Sequence, residues 1–108
     1  MEVANELLAL GRIRHAVFWM HLALEKMIKA HVLRKAKIEP PKIHNLSRLL
    51  ALTDLEIDKE HRKFLAEMNR FQIETRYSLN VMVLPDQEQI KVYQSRTEEI
   101  LQWLIKQF

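Results

Sequence analysis

The stretch that decides the fold is residues 12–35, RIRHAVFWMHLALEKMIKAHVLRK, which contains neither glycine nor proline. Its apolar residues recur at intervals of three and four, which is the spacing of one face of an α-helix. The stretch therefore predicts a long amphipathic helix that packs into the core. Its apolar face comprises Ile13, Ala16, Val17, Met20, Leu24, Met27 and Ile28.

Three further apolar residues of this stretch, Phe18, Trp19 and Leu22, lie outside that face. They make the middle of the helix apolar on nearly every side. Such a helix lies either at the centre of a bundle or against another subunit. These three residues are therefore the candidate dimer interface.

Turn-forming residues separate the long helix from its neighbours. Gly11 divides it from a short first helix at roughly residues 3–10. Pro40 and Pro41 end it, because proline lacks a backbone donor and displaces the preceding residue from the α conformation. His44 or Asn45 can then cap a short third helix, rich in leucine, that ends near residue 53.

Two aspartates mark the starts of two more helices. Asp58 is a good cap for the fourth helix, and Asp86 for the last. Residues 77–84 between them include a strand-like run, but no second strand is present to pair with it, so we interpret them as a packed connector. The inward residues of the two helices are Phe64, Leu65, Met68 and Phe71, and then Ile90, Tyr93, Thr97, Ile100, Leu101, Leu104 and Phe108.

Together these elements predict an all-α fold, a single-domain, mostly antiparallel bundle of about five helices over residues 1–108. The composition agrees, because residues that favour helix dominate and only one glycine and three prolines are present.

The absence of cysteine excludes disulfides and fits a reducing cytoplasm. No segment approaches the roughly 20 apolar residues of a membrane span, and the acidic start is unlike a signal peptide. We expect a soluble, cytoplasmic protein without membrane association.

The net charge of +3 is mildly basic, and its distribution is uneven. Between residues 26 and 48 the only acid beyond the long helix is Glu39, so one end of that helix and its loop are positive. Cations at the C-terminal end of a helix also favour its dipole, so the pattern does not by itself predict an anionic partner. The basic residues are Lys26, Lys29, Arg34, Lys35, Lys37, Lys42 and Arg48.

Motifs of common enzymes are absent. The chain has no phosphate-binding glycine loop, no GxSxG, no HExxH and no acidic calcium loop. Neither Ser47 nor Ser78 stands in a recognisable arrangement with a base. Nucleophilic catalysis is therefore not indicated.

The histidines were considered as metal ligands. His21 and Glu25 are one helical turn apart and could chelate an ion, but His15 and His31 are rotated away from them. We therefore expect no metal and no other cofactor, and we interpret His31 as a core or boundary histidine. His44 either marks the entry to the third helix or contacts an anion.

Residues 70–77, RFQIETRY, place two arginines, a carboxylate and a phenol beside an apolar stripe. Arg70, Glu74 and Tyr77 share one face if the fourth helix continues that far. One interpretation is structural, with Arg70 and Glu74 as an ion pair and Arg76 and Tyr77 anchoring the connector through helix-terminal carbonyls. The other is functional, with the arginines and the phenol binding phosphate or a base.

Three segments, in this order, resemble the HEPN domain, a helical module found beside minimal nucleotidyltransferases in bacteria and archaea. The first is Gly11 with residues 14–30, RHAVFWMHLALEKMIKA, similar to an Ala-rich family helix that ends in Glu-Lys-x-x-Lys-Ala. The others are residues 40–46, PPKIHNL, with Leu49 and Leu50, and residues 70–77. The resemblance covers nearly the whole chain and implies a bundle of about five helices that is commonly dimeric.

Many HEPN proteins are ribonucleases in which an arginine is followed, after four to six residues, by a histidine. Here the positions after Arg70 hold Thr75, Arg76 and Tyr77. Those after Arg76 are residues 81–83, VMV. The acid/base histidine is missing, so the resemblance favours a non-catalytic protein that dimerises, binds a nucleotide or RNA, and acts with a separately encoded nucleotidyltransferase.

Under this hypothesis Glu74 orients an arginine of an anion site. Two alternatives are a ribonuclease toxin of a toxin-antitoxin pair that uses a displaced base such as His44, and a pure interaction module in which Phe18 and Trp19 are buried in a partner. The family usually has more residues before its first helix, so we expect a trimmed domain or a different start. The expected ligand contacts are Lys26, Lys29, His44, Arg70, Arg76 and Tyr77.

Overall fold

Five α-helices account for most of the residues described by the computed structural model, which are residues 2–9, 11–37, 39–71 and 85–108. They are α1 (Glu2–Ala9), α2 (Ile13–Ala36), α3 (Leu46–Ala51), α4 (Lys59–Met68) and α5 (Gln87–Lys106), and a 3₁₀ turn (Asn69–Phe71) directly follows α4. These ranges contain no strand, and the predicted all-α class is confirmed. Among the helices described, none has both the length and the apolar content needed to cross a membrane.

The long helix α2 is central, as predicted, because α1, α3, α5 and the 3₁₀ turn all pack against it. Its apolar face is buried within the core formed by the other helices. The fully buried members of that face are Ala16, Val17, Met20, Leu24 and Ile28, while Ile13 and Met27 are half-buried and pack against them.

Side-chain caps begin three of the helices. Asn45, and not His44, caps α3, because its side-chain oxygen accepts a hydrogen bond of 3.0 Å from the backbone N–H of Arg48. Asp58 and Asp86 cap α4 and α5 in the same way, as predicted. A cap of this kind stabilises a helix by about 1 kcal/mol, because it satisfies a backbone donor that has no partner within the helix.

The end of α4 differs from the prediction. The α-helix stops at Met68 and tightens into the 3₁₀ turn, which keeps the buried Met68 and Phe71 on one side. Arg70 therefore lies in this turn and not on the α-helix. It cannot begin the α-helical face that was predicted to join it to Glu74 and Tyr77. Glu74 and the predicted connector, residues 77–84, lie outside the described residues.

The inward face of α5 is confirmed except at its end. Phe108 follows the helix and is 50% exposed, but its ring stacks on that of His31 with the centroids 3.9 Å apart. His31 itself is buried and donates from Nε2 to the carbonyl oxygen of Leu104 at 2.8 Å. The interpretation of His31 as a core histidine is therefore confirmed.

Candidate functional site

The central helix carries a buried carboxylate, Glu25, which is only 5% exposed. Its Oε1 accepts a hydrogen bond of 2.9 Å from Nδ1 of His44, and its Oε2 accepts one of 3.2 Å from Nζ of Lys29. Nδ1 of His21, one turn earlier, lies 3.9 Å from Oε1. A buried charge is strongly unfavourable unless it is paired and hydrogen-bonded, and these contacts meet that requirement. We refer to Glu25, Lys29 and His44 as the carboxylate cluster.

Local sequence explains how the cluster forms. Lys29 follows Glu25 by four residues, which places both on one face of α2. The helix ends at Ala36, and the next residue, Lys37, caps it in the left-handed conformation and donates its N–H to the carbonyl oxygen of Leu33 at 2.7 Å. The chain then turns back through the two prolines and brings His44 against the middle of α2.

An asparagine pair joins the loop that carries His44 to the 3₁₀ turn. Oδ1 of Asn69 accepts a hydrogen bond of 2.7 Å from the backbone N–H of Leu46, and its Nδ2 donates to Oδ1 of Asn45 at 3.2 Å. His44 and Arg70 are the chain neighbours of this pair, one on each segment. The 3₁₀ turn that carries Arg70 also packs against α2, the helix that carries Glu25 and Lys29.

Arg70 is exposed, but its guanidinium has defined neighbours. Its Cζ lies 4.7 Å from the centre of the Phe71 ring, and its positive charge acts on the hydroxyl of Tyr93. The same hydroxyl donates to the carboxylate of Glu67. Burial, together with the hydrogen bond and the charge of Glu67, raises the pKa of Tyr93 to about 12, although Arg70 acts in the opposite direction.

The structure separates the predicted ligand residues into two groups. Lys29 and His44 belong to the carboxylate cluster, and Arg70 lies on the 3₁₀ turn that the asparagine pair joins to the loop of His44. Lys26 is exposed and lines a different feature, an apolar cavity beside α1. The other two predicted contacts, Arg76 and Tyr77, lie outside the described residues, and so does Glu74, which was predicted to orient an arginine.

The apolar cavity coincides with the predicted dimer interface. It has a volume of about 420 Å³ and is lined by residues of α1 and α2 that include Val3, Trp19 and Leu22. Trp19 is 38% exposed, and its ring meets that of Phe18 edge-on at 5.9 Å, while Phe18 and Leu22 are half-buried. An exposed tryptophan beside an apolar cavity is typical of a surface that binds another protein.

Sequence reasoning missed the roles of Glu25, Asn69, Tyr93 and Glu67. The spacing of His21, Glu25 and Lys29 along a buried helix is the available indication for the first, whereas the sequence analysis interprets only His21 and Glu25, as a metal-ligand pattern. No group of three or more histidine, aspartate or glutamate side chains within the described ranges is arranged to hold a metal ion. The other three residues act through contacts distant in sequence, which no local pattern indicates.

The candidate site therefore consists of a lysine and a histidine that share one buried carboxylate, and of an exposed arginine on the turn that the asparagine pair joins to the loop of the histidine. Comparison with known proteins gives this chemistry a family context. A family model described as the HEPN domain matches residues 1–108. No significant match to a curated protein or to a solved structure was found. Because the family model spans the full length of the sequence, the chain belongs to the HEPN domain family.

Proposed function

We propose that this HEPN protein is a non-catalytic cytoplasmic homodimer that binds a nucleotide or another phosphate-bearing ligand and acts with a separately encoded nucleotidyltransferase. The observation that carries the proposal is the Asn45–Asn69 bridge, which joins the segments that carry His44 and Arg70. The missing histidine after Arg70 and Arg76 supports a binding role over a ribonuclease role.

Arg70 is the principal ligand contact in this proposal. A guanidinium presents a planar fork of donors that matches two oxygens of a phosphate. Lys29 and His44 are held in place by Glu25, so little side-chain freedom is lost when a ligand binds. Each charged hydrogen bond to a phosphate can contribute about 1.5 to 3 kcal/mol. The remaining proposed contacts are Lys26, Arg76 and Tyr77, with Glu74 orienting an arginine.

Calorimetry with ATP, other nucleotides and short RNA tests this proposal. We expect Arg70→Ala and Arg76→Ala to weaken binding by roughly 10- to 100-fold, the equivalent of one lost charged hydrogen bond each. Arg12→Ala is the matched control, because Arg12 is exposed and lies about 25 Å from Lys29 along α2. Absence of binding by the wild type, or equal binding by wild type and arginine variants, would contradict the proposal.

The proposed dimer uses the surface formed by Phe18, Trp19 and Leu22. Its support is the exposure of Trp19 beside the apolar cavity, which a second copy would cover. A pure interaction module would use the same surface for a different protein. The proposed partner is tested by co-expression with a small nucleotidyltransferase if a neighbouring gene encodes one, and we expect the two chains to co-purify at a fixed ratio.

One observation favours a second candidate, a ribonuclease toxin that uses His44 as its base. The Glu25 carboxylate accepts the proton of His44 Nδ1, which assigns that proton to Nδ1 and leaves the lone pair of the imidazole on Nε2. Carboxylates orient catalytic histidines in this way. Incubation of RNA with the wild type and with His44→Gln, at several pH values and with different metals, tests it. Intact RNA under all conditions would exclude this candidate.

A further inference from the structure

We infer that a second copy of this chain binds against the apolar cavity, with the two α2 helices antiparallel and crossing between Leu22 and Ala23. In this arrangement Lys26 of each copy lies against the Trp19 ring of the other. The inference rests on the dimer of the proposed function and specifies how its two copies are arranged. It also assigns to the dimer interface a residue, Lys26, that the sequence predicts only as a ligand contact.

Four residues of α2 that line the apolar cavity lie on one face of the helix. They are separated by intervals of three, one and three residues, which is the spacing of one α-helical face over two turns. None of them belongs to the hydrophobic core cluster, and each is exposed or half-buried. This face of α2 is therefore available to a partner. The four residues are Trp19, Leu22, Ala23 and Lys26.

The order of these residues is symmetrical about the point between Leu22 and Ala23. An interface with two-fold symmetry brings the same surface of both copies together, so that surface must be complementary to itself. If the axis passes through this point, Leu22 faces the partner's Ala23, and Trp19 faces the partner's Lys26. A large residue opposite a small one at the axis allows the helices to approach to about 8–10 Å.

The outer pair, Lys26 and the partner's Trp19, is chemically matched. An ammonium over the face of an indole ring is attracted by the electrons of the ring. The methylene groups of a lysine side chain also cover apolar surface while the charge stays in contact with water. Trp19 has exposed surface for this contact, because its ring meets only the edge of Phe18 among the aromatic rings described.

The charges around the cavity favour a second copy over a strongly acidic or basic partner. The lining contains one acid, Glu2, and one base, Lys26. Within the described part of the chain, neither makes an ion pair or a side-chain hydrogen bond. A surface with one charge of each sign can meet its own copy without net repulsion. The apolar residues between the two charges then form the centre of the interface, and the charges form its rim.

Disulfide crosslinking tests the arrangement, because the chain has no cysteine of its own. Under oxidation with copper phenanthroline we expect Ala23→Cys, next to the axis, to crosslink rapidly between copies. Lys26→Cys alone should not crosslink, since its two copies are about 10 Å apart along the helices, which is too far for a disulfide. Trp19→Cys combined with Lys26→Cys should crosslink, since these positions face each other. Val92→Cys, at an exposed position of α5, is the control.

Dilution of the dimer in analytical ultracentrifugation tests the contact between Lys26 and Trp19. Each dimer contains this contact twice, so we expect Lys26→Ala to raise the dimer Kd roughly 5- to 30-fold and Lys26→Arg to retain most of the affinity. Lys91→Ala removes an exposed cation from α5 and is the matched control. An equal dimer Kd for Lys26→Ala and Lys91→Ala would overturn the inference.

The outcomes distinguish this inference from the proposed function. A wild type that remains monomeric overturns both the proposed dimer and the inference. If Trp19→Glu dissociates the dimer but Ala23→Cys crosslinks no faster than Val92→Cys, only the inference fails. A role of Lys26 in ligand binding alone would leave the dimer Kd of Lys26→Ala at the wild-type value. Calorimetry with nucleotides tests the ligand binding of the proposed function independently of these measurements.

Discussion

Nδ1 of His44 donates across 2.9 Å to Oε1 of Glu25, a buried carboxylate 19 positions earlier in the chain. This bond joins the loop after α2 to the middle of α2 itself. With the bond from Lys29 to the other carboxylate oxygen, it accounts for the presence of a charge inside the core. The same bonds orient two of the proposed ligand contacts, so stability and the proposed binding depend on one buried group.

Substitution of Glu25 should therefore destabilise the protein strongly. We expect Glu25→Ala to lower the free energy of unfolding by about 1 to 3 kcal/mol, because the half-buried donors Lys29 and His44 lose their shared acceptor. Urea denaturation followed by circular dichroism measures the change. Glu39→Ala, at an exposed position outside the helices, is the control and should have little effect. Equal stability of the two variants would show that the carboxylate cluster does not support the fold.

The asparagine bridge should matter for both stability and binding. We expect Asn69→Ala to lower the free energy of unfolding by about 1 to 3 kcal/mol, because the N–H of Leu46 and the side chain of Asn45 lose a partner. Asn69→Asp should be milder, since it retains the acceptor for Leu46. Chemical denaturation tests this ranking, with the exposed Gln102→Ala as control. An Asn69→Ala variant as stable as Gln102→Ala would contradict the proposed importance of the bridge.

Trp19→Glu should convert the proposed dimer to a monomer. A carboxylate placed in an apolar interface must lose its hydration, which opposes association of the two copies. Size-exclusion chromatography with light scattering gives the mass directly. Val92→Glu is the control, because Val92 is an apolar residue of α5 that is 55% exposed. A monomeric wild type, or a dimeric Trp19→Glu variant, would exclude this surface as the dimer interface.

Tyr93 should make stability depend on pH in the alkaline range. Its pKa is about 12 in the folded protein and about 10 in an unfolded chain, so the folded state retains the proton over this interval. Stability from this group is fully present below pH 10 and is lost as the pH rises toward 12. Denaturation at a series of pH values should give a smaller alkaline loss for Tyr93→Phe than for the wild type. Identical pH profiles would contradict the prediction.

The loop between α2 and α3 illustrates what could be predicted and what could not. The two prolines correctly predicted the end of the long helix, because their effect on the backbone is local. The sequence predicts either His44 or Asn45 as the cap of α3, since both residues precede its leucines. Only the fold resolved it, by directing His44 to Glu25 and leaving Asn45 to accept the N–H of Arg48.

The sequence by itself determined the five helices, most of their inward residues and the family. Helical periodicity, capping and proline effects operate over a few residues, and the segments that resemble HEPN domains can be read directly from the chain. Only the tertiary structure decided that Glu25 pairs with His44, Asn69 with Asn45 and Tyr93 with Glu67. Those partners lie in other elements, and the contacts depend on how the helices and loops pack, which no local pattern specifies.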